Sequence, residues 1–253
     1  MKRLRPATRR SLLAGIVCSL LAAFVFPWSA AADDRPDPVV IVNGTFGPAF
    51  FYEPLAKRLR DDDHQVFIFE LTNLGTGDIA ATAQDLADFV AGVREQTGAA
   101  KVDLVGHSQG GLVARQYVKY LGGDATVDSL ISLGAPHYGT AVANIAAFFG
   151  AGNCLGIVAC QQMAVGSDFV NALNDGDDTI GAVRYTNFYS NLDELVRPVA
   201  NAALEDGATN VKIQSQCPVR IVEHVGLALD GTVYTGIRQA LAGQPIHLDC
   251  WAV

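Results

Sequence analysis

The sequence predicts an α/β protein with a mostly parallel central sheet of about six strands and helices on both faces. Short β-branched runs alternate with segments of helical period along almost the whole chain. Such β-rich runs separated by helices argue for a parallel sheet covered on both faces. No internal repeat and no long linker divides residues 33–253, so they are expected to form one domain.

The elements follow in order. Val39–Val42 is an apolar, β-branched strand ending at Asn43-Gly44, and Pro54–Arg60 reads as a helix. Gln65–Phe69 is the next strand. Ile79–Gln96 is a long amphipathic helix, because Ile79, Ala83, Leu86, Val90 and Val93 recur at helical spacing. A strand at Lys101–Val105, a helix at Gln109–Leu121 and a strand at Val127–Leu133 continue the alternation. Val183–Tyr189 and Val211–Gln214 supply two more strands, and Thr232–Leu241 the last helix. One stretch departs from this rhythm: Ser129–Ser167 contains no Asp, Glu, Lys or Arg. Its later part, 141–165, reads as an apolar rim or lid insertion carrying Phe148 and Phe149.

The first 32 residues read as a cleavable signal peptide. Lys2, Arg3, Arg5, Arg9 and Arg10 precede the charge-free run Ser11–Ala32, which ends in Pro27 and a small-residue exit. Export by the general secretory route is expected, or by the twin-arginine route given Arg9-Arg10, with no permanent membrane anchor. Removing this segment takes five basic groups away and turns a formal charge of −8 into −13. So acidic a chain excludes nucleic acid as a partner through diffuse electrostatics. Cys18 leaves with the segment, and four cysteines remain. An even number in an exported chain implies two disulfides, with three pairings open. The expected set is Cys154–Cys160, closing a local loop, and Cys217–Cys250, tying the tail to the body. Zinc would want closer Cys or His pairs than these. Asp175-Gly176-Asp177-Asp178 reads as a solvated acidic turn rather than a calcium site.

The strand ending at Val105 runs into Gly106-His107-Ser108-Gln109-Gly110-Gly111 and then a helix. This is G-x-S-x-G in the context that gives it meaning, strand to sharp turn to helix. A serine at the tip is held out over the sheet edge with a strained backbone, and Gly106 and Gly110 relieve the crowding. The Gln109 N–H at the helix start is aimed at a developing oxyanion. A second donor is expected from the turn Asn43–Gly47, with the Thr45 N–H as candidate and Phe46 beside it. Serine needs a base, and the base an orienting acid. His107 lies in the elbow and reads as structural; His64 and His247 read as surface; His137 is placed to line the cleft. His224, beyond the last strand, fits the order Ser, acid, His. Asp193 is the best-placed acid, with Glu194 its close competitor and Asp168 and Asp206 behind.

These segments, together with Gly134–Thr140, Tyr189–Asp193 and His224–Leu227, resemble the small secreted bacterial triacylglycerol lipases and esterases of the α/β-hydrolase superfamily. The resemblance runs from about Pro38 to Leu241 and implies a minimal α/β-hydrolase fold. It also implies Ser108 as nucleophile, Asp193 as acid, His224 as base, and the Thr45 and Gln109 N–H groups as oxyanion hole. Two departures stand out: Asn43 occupies a position where many relatives carry His, and the smallest relatives lack an insertion like 141–165. The expected activity is carboxylic-ester hydrolysis on lipid-like esters, by a monomer without metal or other cofactor. A polyester hydrolase or an acyltransferase would use the same triad. A binding protein that lost the chemistry is disfavoured, since nucleophile, base and acid are all present.

Overall fold

The computed structural model describes residues 36–141, 154 and 157–253. The first half carries β1 (Val39–Val42), α1 (Ala49–Asp61), β2 (Val66–Phe69), α2 (Ile79–Thr97), β3 (Val102–His107), α3 (Gln109–Tyr120) and β4 (Val127–Leu133). The second half carries α4 (Val158–Gln162), α5 (Asp168–Leu173), β5 (Arg184–Tyr189), β6 (Thr209–Lys212), α6 (Ile213–Gln216) and α7 (Gly231–Leu241). The strands form one parallel six-stranded sheet in the order β2-β1-β3-β4-β5-β6.

Alternate residues of a strand face opposite sides of a sheet, and the core divides accordingly. Val39 and Ile41 pack with Tyr52 and Leu55 of α1 and with Val233 and Ile237 of α7. Val40 and Val42 point the other way, onto Ile79 and Leu86 of α2 and Leu112 and Val113 of α3. Each such side chain taken fully out of water contributes roughly 1.5–3 kcal/mol, which explains why β1, buried on both faces, is an unbroken apolar run. The α2 helix starts where the Asp78 carboxylate accepts the Ala81 N–H at 2.9 Å, and stops at Gly98 in the left-handed conformation.

The strand order places the site. From β1 the chain steps outward to β2, then returns to lay β3 on the other side of β1. The segments leaving the carboxyl ends of β1 and β3 therefore diverge, opening a crevice at the switch point. Asn43–Gly47 leaves β1 there and Ser108 leaves β3.

Two boundaries differ from the sequence reading. Helix α1 begins at Ala49 rather than Pro54, because Tyr52, Leu55, Ala56 and Leu59 form one buried stripe that extends the helix upstream of the proline. Strand β6 ends at Lys212, and Ile213 turns into α6. At this sheet edge only Val211 of the strand is buried, so the apolar pattern locates it poorly. The 1–32 segment lies outside the described residues. So do Phe148 and Phe149. What is described of the insertion is anchored: Thr140 and Ala164 form a parallel bridge, and Gln162 accepts the Ile79 N–H at 2.8 Å. Cys154–Cys160 and Cys217–Cys250 are both bonded, with Cα separations of 5.4 and 5.3 Å. No helix among the described residues is long and apolar enough to cross a membrane.

Candidate active site

Ser108 sits between β3 and α3 with φ 54° and ψ −125°, a conformation that L residues avoid. Packing enforces it. A Cβ on Gly106 would lie 2.7 Å from the Gly111 nitrogen, and one on Gly110 would collide with the Val42 carbonyl. Both positions require glycine, so the tight turn survives only with this motif.

Three side chains that are distant in sequence meet at this turn. The Ser108 hydroxyl is 2.9 Å from His224 Nε2, and His224 Nδ1 is 2.8 Å from Asp193 Oδ2. The other Asp193 oxygen accepts the Leu195 and Val196 N–H groups at 2.9 and 2.8 Å, which fixes the carboxylate plane. Gly134, with φ +60°, packs beneath the pair; a Cβ there would approach Asp193 Oδ2 to 3.0 Å. Glu194 has a different contact, accepting the backbone N–H of His224 at 3.1 Å. The segments bearing Asp193 and His224 are tied together by Ser190, whose hydroxyl donates to the Val222 carbonyl at 2.5 Å.

The turn after β1 is clamped by Asn43, whose amide donates to the Gly47 carbonyl at 2.8 Å. Thr45 follows, and its hydroxyl donates to Gln109 Oε1 at 2.5 Å, which joins this turn to the start of α3. Gln109 is the first residue of α3, so its N–H belongs to the set without an intrahelical acceptor.

His107 is nearly buried and its ring faces away from the Ser108 hydroxyl. Nδ1 lies 2.8 Å from the Tyr52 hydroxyl and Nε2 lies 3.0 Å from the His224 carbonyl. Burial first, then the neighbouring His224, depress its pKa to about 3, so the ring is neutral. A carbonyl only accepts, so Nε2 carries the proton and Nδ1 receives the Tyr52 O–H. Tyr52 was legible only as a core aromatic; nothing in its spacing distinguishes a hydroxyl with this role.

Two open clefts flank Ser108. The smaller is lined by Pro136, Thr140, Met163, Leu195 and Val196, the larger by Phe46, Pro48, Phe51 and Val225. Phe46 thus lies where the sequence reading put it. His137 does not. It is fully buried with Nε2 3.0 Å from Asn187 Oδ1, and its neighbours Pro136 and Thr140 line the cleft instead. Desolvation, with Arg115 nearby, holds its pKa well below the usual imidazole value, so it is a neutral structural ring.

Among the described residues, two acidic groups could hold a cation on spacing: Asp37, Asp103 and Asp128, and Asp177, Asp178 and Asp206. The acidic turn expected to be solvated is partly internal. Asp178 is buried and accepts from Tyr138 and from the Glu205 and Asp206 N–H groups. In the other group Asp128 already pairs with Arg184 at 2.7 Å and faces Lys101 at 3.8 Å.

The family described as alpha/beta hydrolase fold matches residues 37–151. Among solved structures, Aspergillus fumigatus lipase B superposes with a TM-score of 0.75 at 22% identity, over 84% of this chain and 54% of that one. The mature form of Bacillus licheniformis lipase BlEst2 gives 0.68 at 19% identity, over 84% and 94%. This chain has the α/β-hydrolase fold. In sequence, the chain is similar to a triacylglycerol lipase of Vibrio cholerae, 33% identical over 113 residues, or 43% of this chain and 35% of that protein. It is also similar to lipase B of Pseudozyma antarctica, 27% identical over 241 residues, or 88% and 67%. The chain therefore spans about a third of the bacterial lipase and two thirds of the fungal one.

Proposed function

We propose that this chain is a secreted serine carboxylic-ester hydrolase, a lipase or esterase, that cleaves lipid-like esters through an acyl-enzyme. The reading rests above all on the hydrogen-bonded line from Ser108 through His224 to Asp193, at 2.9 and 2.8 Å. Ser108 Oγ attacks the ester carbonyl while His224 Nε2 takes its proton. Asp193 keeps the proton on Nδ1 and stabilises the imidazolium. The Thr45 and Gln109 N–H groups receive the tetrahedral oxyanion. The imidazolium returns its proton to the leaving alkoxide, and water then repeats the sequence in reverse to free the acid.

Substrate class follows from the walls. Both clefts meet at Ser108 and are mainly apolar, so an ester with hydrocarbon on each side is better accommodated than a charged one. The similarity to proteins named as lipases points the same way. Two paired disulfides and the charge-free run Ser11–Ala32 support export. The test is an ester panel from acetyl to oleoyl, measured below and above substrate solubility, with a fluorophosphonate label mapped by mass spectrometry. Labelling at Ser108 and preference for acyl chains over acetyl are expected; failure to label Ser108 would overturn the mechanism.

A further inference from the structure

The turn after β1 and the segment carrying His224 belong to different layers of the chain, yet one buried path of hydrogen bonds joins them. The Gly44 N–H donates to the Tyr52 hydroxyl at 2.7 Å. That hydroxyl donates to His107 Nδ1 at 2.8 Å, and His107 Nε2–H donates to the His224 carbonyl at 3.0 Å. Each donor has one acceptor and each link fixes the direction of the next, so only one proton arrangement satisfies the path. Tyr52 and His107 are 1% and 5% exposed, so water is a poor substitute for either. The path also passes under the nucleophile: a Cβ on Gly44 would lie 3.0 Å from His107 Nδ1 and 3.1 Å from Ser108 Cβ.

We propose that Tyr52 and His107 are a positioning pair for the ester hydrolysis assigned above, holding the Gly44–Thr45 turn and the His224 main chain in register on either side of Ser108. The inference rests on that functional reading. Thr45 is the residue after Gly44, so where the Gly44 N–H is held decides where the Thr45 N–H points. At the other end, the His224 backbone is held by Glu194 on the N–H and by His107 on the carbonyl, which also accepts the Leu227 N–H at 3.3 Å. Asp193 then fixes the ring. Loss of either middle link removes a buried hydrogen bond from the path and lets the two halves of the site shift independently. Displacements well under 1 Å in such constellations cost turnover more than binding.

The two nitrogens of His107 can be separated by substitution. The Asn side chain reaches as far as Nδ1 and can still accept from Tyr52, but it falls short of the His224 carbonyl. Gln can reach that carbonyl and gives up the Tyr52 contact. Tyr52→Phe, His107→Asn, His107→Gln and the double variant Tyr52→Phe/His107→Asn would be assayed with a soluble p-nitrophenyl butyrate, alongside thermal melts and fluorophosphonate labelling rates. Tyr52→Phe and His107→Asn are each expected to lower kcat about ten- to hundredfold with KM within about twofold, the range set by one unpaired buried group. His107→Gln should recover part of the loss of His107→Asn, and the double variant should be little worse than the poorer single one. The proposal is overturned by kcat within twofold of the parent in both single variants, by losses that multiply and follow the fall in Tm, or by a change confined to KM. A parent protein that neither hydrolyses esters nor labels at Ser108 would instead sink the functional reading, and this inference with it.

Discussion

Replacing Asp193 by Asn tests the proton line with almost no change of shape. In the parent, Oδ1 accepts the Leu195 and Val196 N–H groups and Oδ2 accepts the proton on His224 Nδ1. Asparagine can keep the first two bonds with its carbonyl oxygen, which directs its NH₂ at His224 Nδ1. That nitrogen must then act as acceptor, and the ring proton moves to Nε2. Nε2 now faces Ser108 with a hydrogen instead of a lone pair and cannot take the hydroxyl proton. Loss of the correct tautomer in a serine triad is worth about 10⁴ in kcat, or about 5 kcal/mol of barrier. Stability should change little, because one buried hydrogen bond is exchanged for another. The assay is pre-steady-state acylation by p-nitrophenyl butyrate with a thermal melt, run in parallel on Glu194→Gln. Glu194 meets only the backbone N–H of His224, so its neutral amide should leave kcat within about tenfold of the parent. An Asp193→Asn protein that acylates within tenfold of the parent, or a Glu194→Gln protein that loses more than Asp193→Asn, would refute the assignment of the acid.

Three further outcomes are expected. Gly134→Ala places a methyl group 2.7 Å from Leu227 Cδ1 and 3.0 Å from Asp193 Oδ2 at φ +60°, so kcat should fall at least tenfold and stability by roughly 1–2 kcal/mol, as read by kinetics and urea melts. Replacing Cys217 and Cys250 together by Ser opens a loop of sequence separation 33, which should remove roughly 3–4 kcal/mol and lower Tm by about 10 °C while kcat at 25 °C is kept. Asp103 has a carboxyl raised to about 8, first by burial and then by Asp37 and Asp128. The folded protein therefore holds a proton that the unfolded chain releases near pH 4, and this contribution to stability is complete at lower pH and lost as pH rises toward 8. Asp103→Asn should flatten the decline of Tm between pH 4 and pH 8; an unchanged slope would show that the carboxyl is ionised in the fold.

Legibility in the sequence tracked how local the physics was. The elbow could be read because its constraint is compressed into a few residues: Gly106 and Gly110 are needed by contacts that the turn itself creates. Strand β1 could be read because burial on both faces leaves an unbroken apolar run, and β3 and β4 because they are almost entirely buried and rich in Val, Ile and Leu despite Asp103 and Asp128. His224 and Asp193 needed chain order as well, and the geometry brings them together while assigning Glu194 a backbone contact. What escaped depends on packing between distant segments. Tyr52 looks like any core aromatic in the stripe of α1, and its hydroxyl matters only because Gly44 and His107 arrive from other elements. His137 misled for the converse reason: its neighbours reach the cleft, but its own side chain turns inward to Asn187. Asp178 looked like one acid in a polar turn, yet Tyr138 and two amides enclose it.

The parallel bridge between Thr140 and Ala164 has a practical consequence for anyone reshaping this protein. The chain leaves and rejoins the body at adjacent points, and Thr140 is independently fastened to the Leu195 and Arg197 carbonyls. Any redesign near Ser108 should therefore keep Thr140 and Ala164 as fixed posts, because Pro136, Thr140 and Met163 beside them form one wall of the smaller cleft.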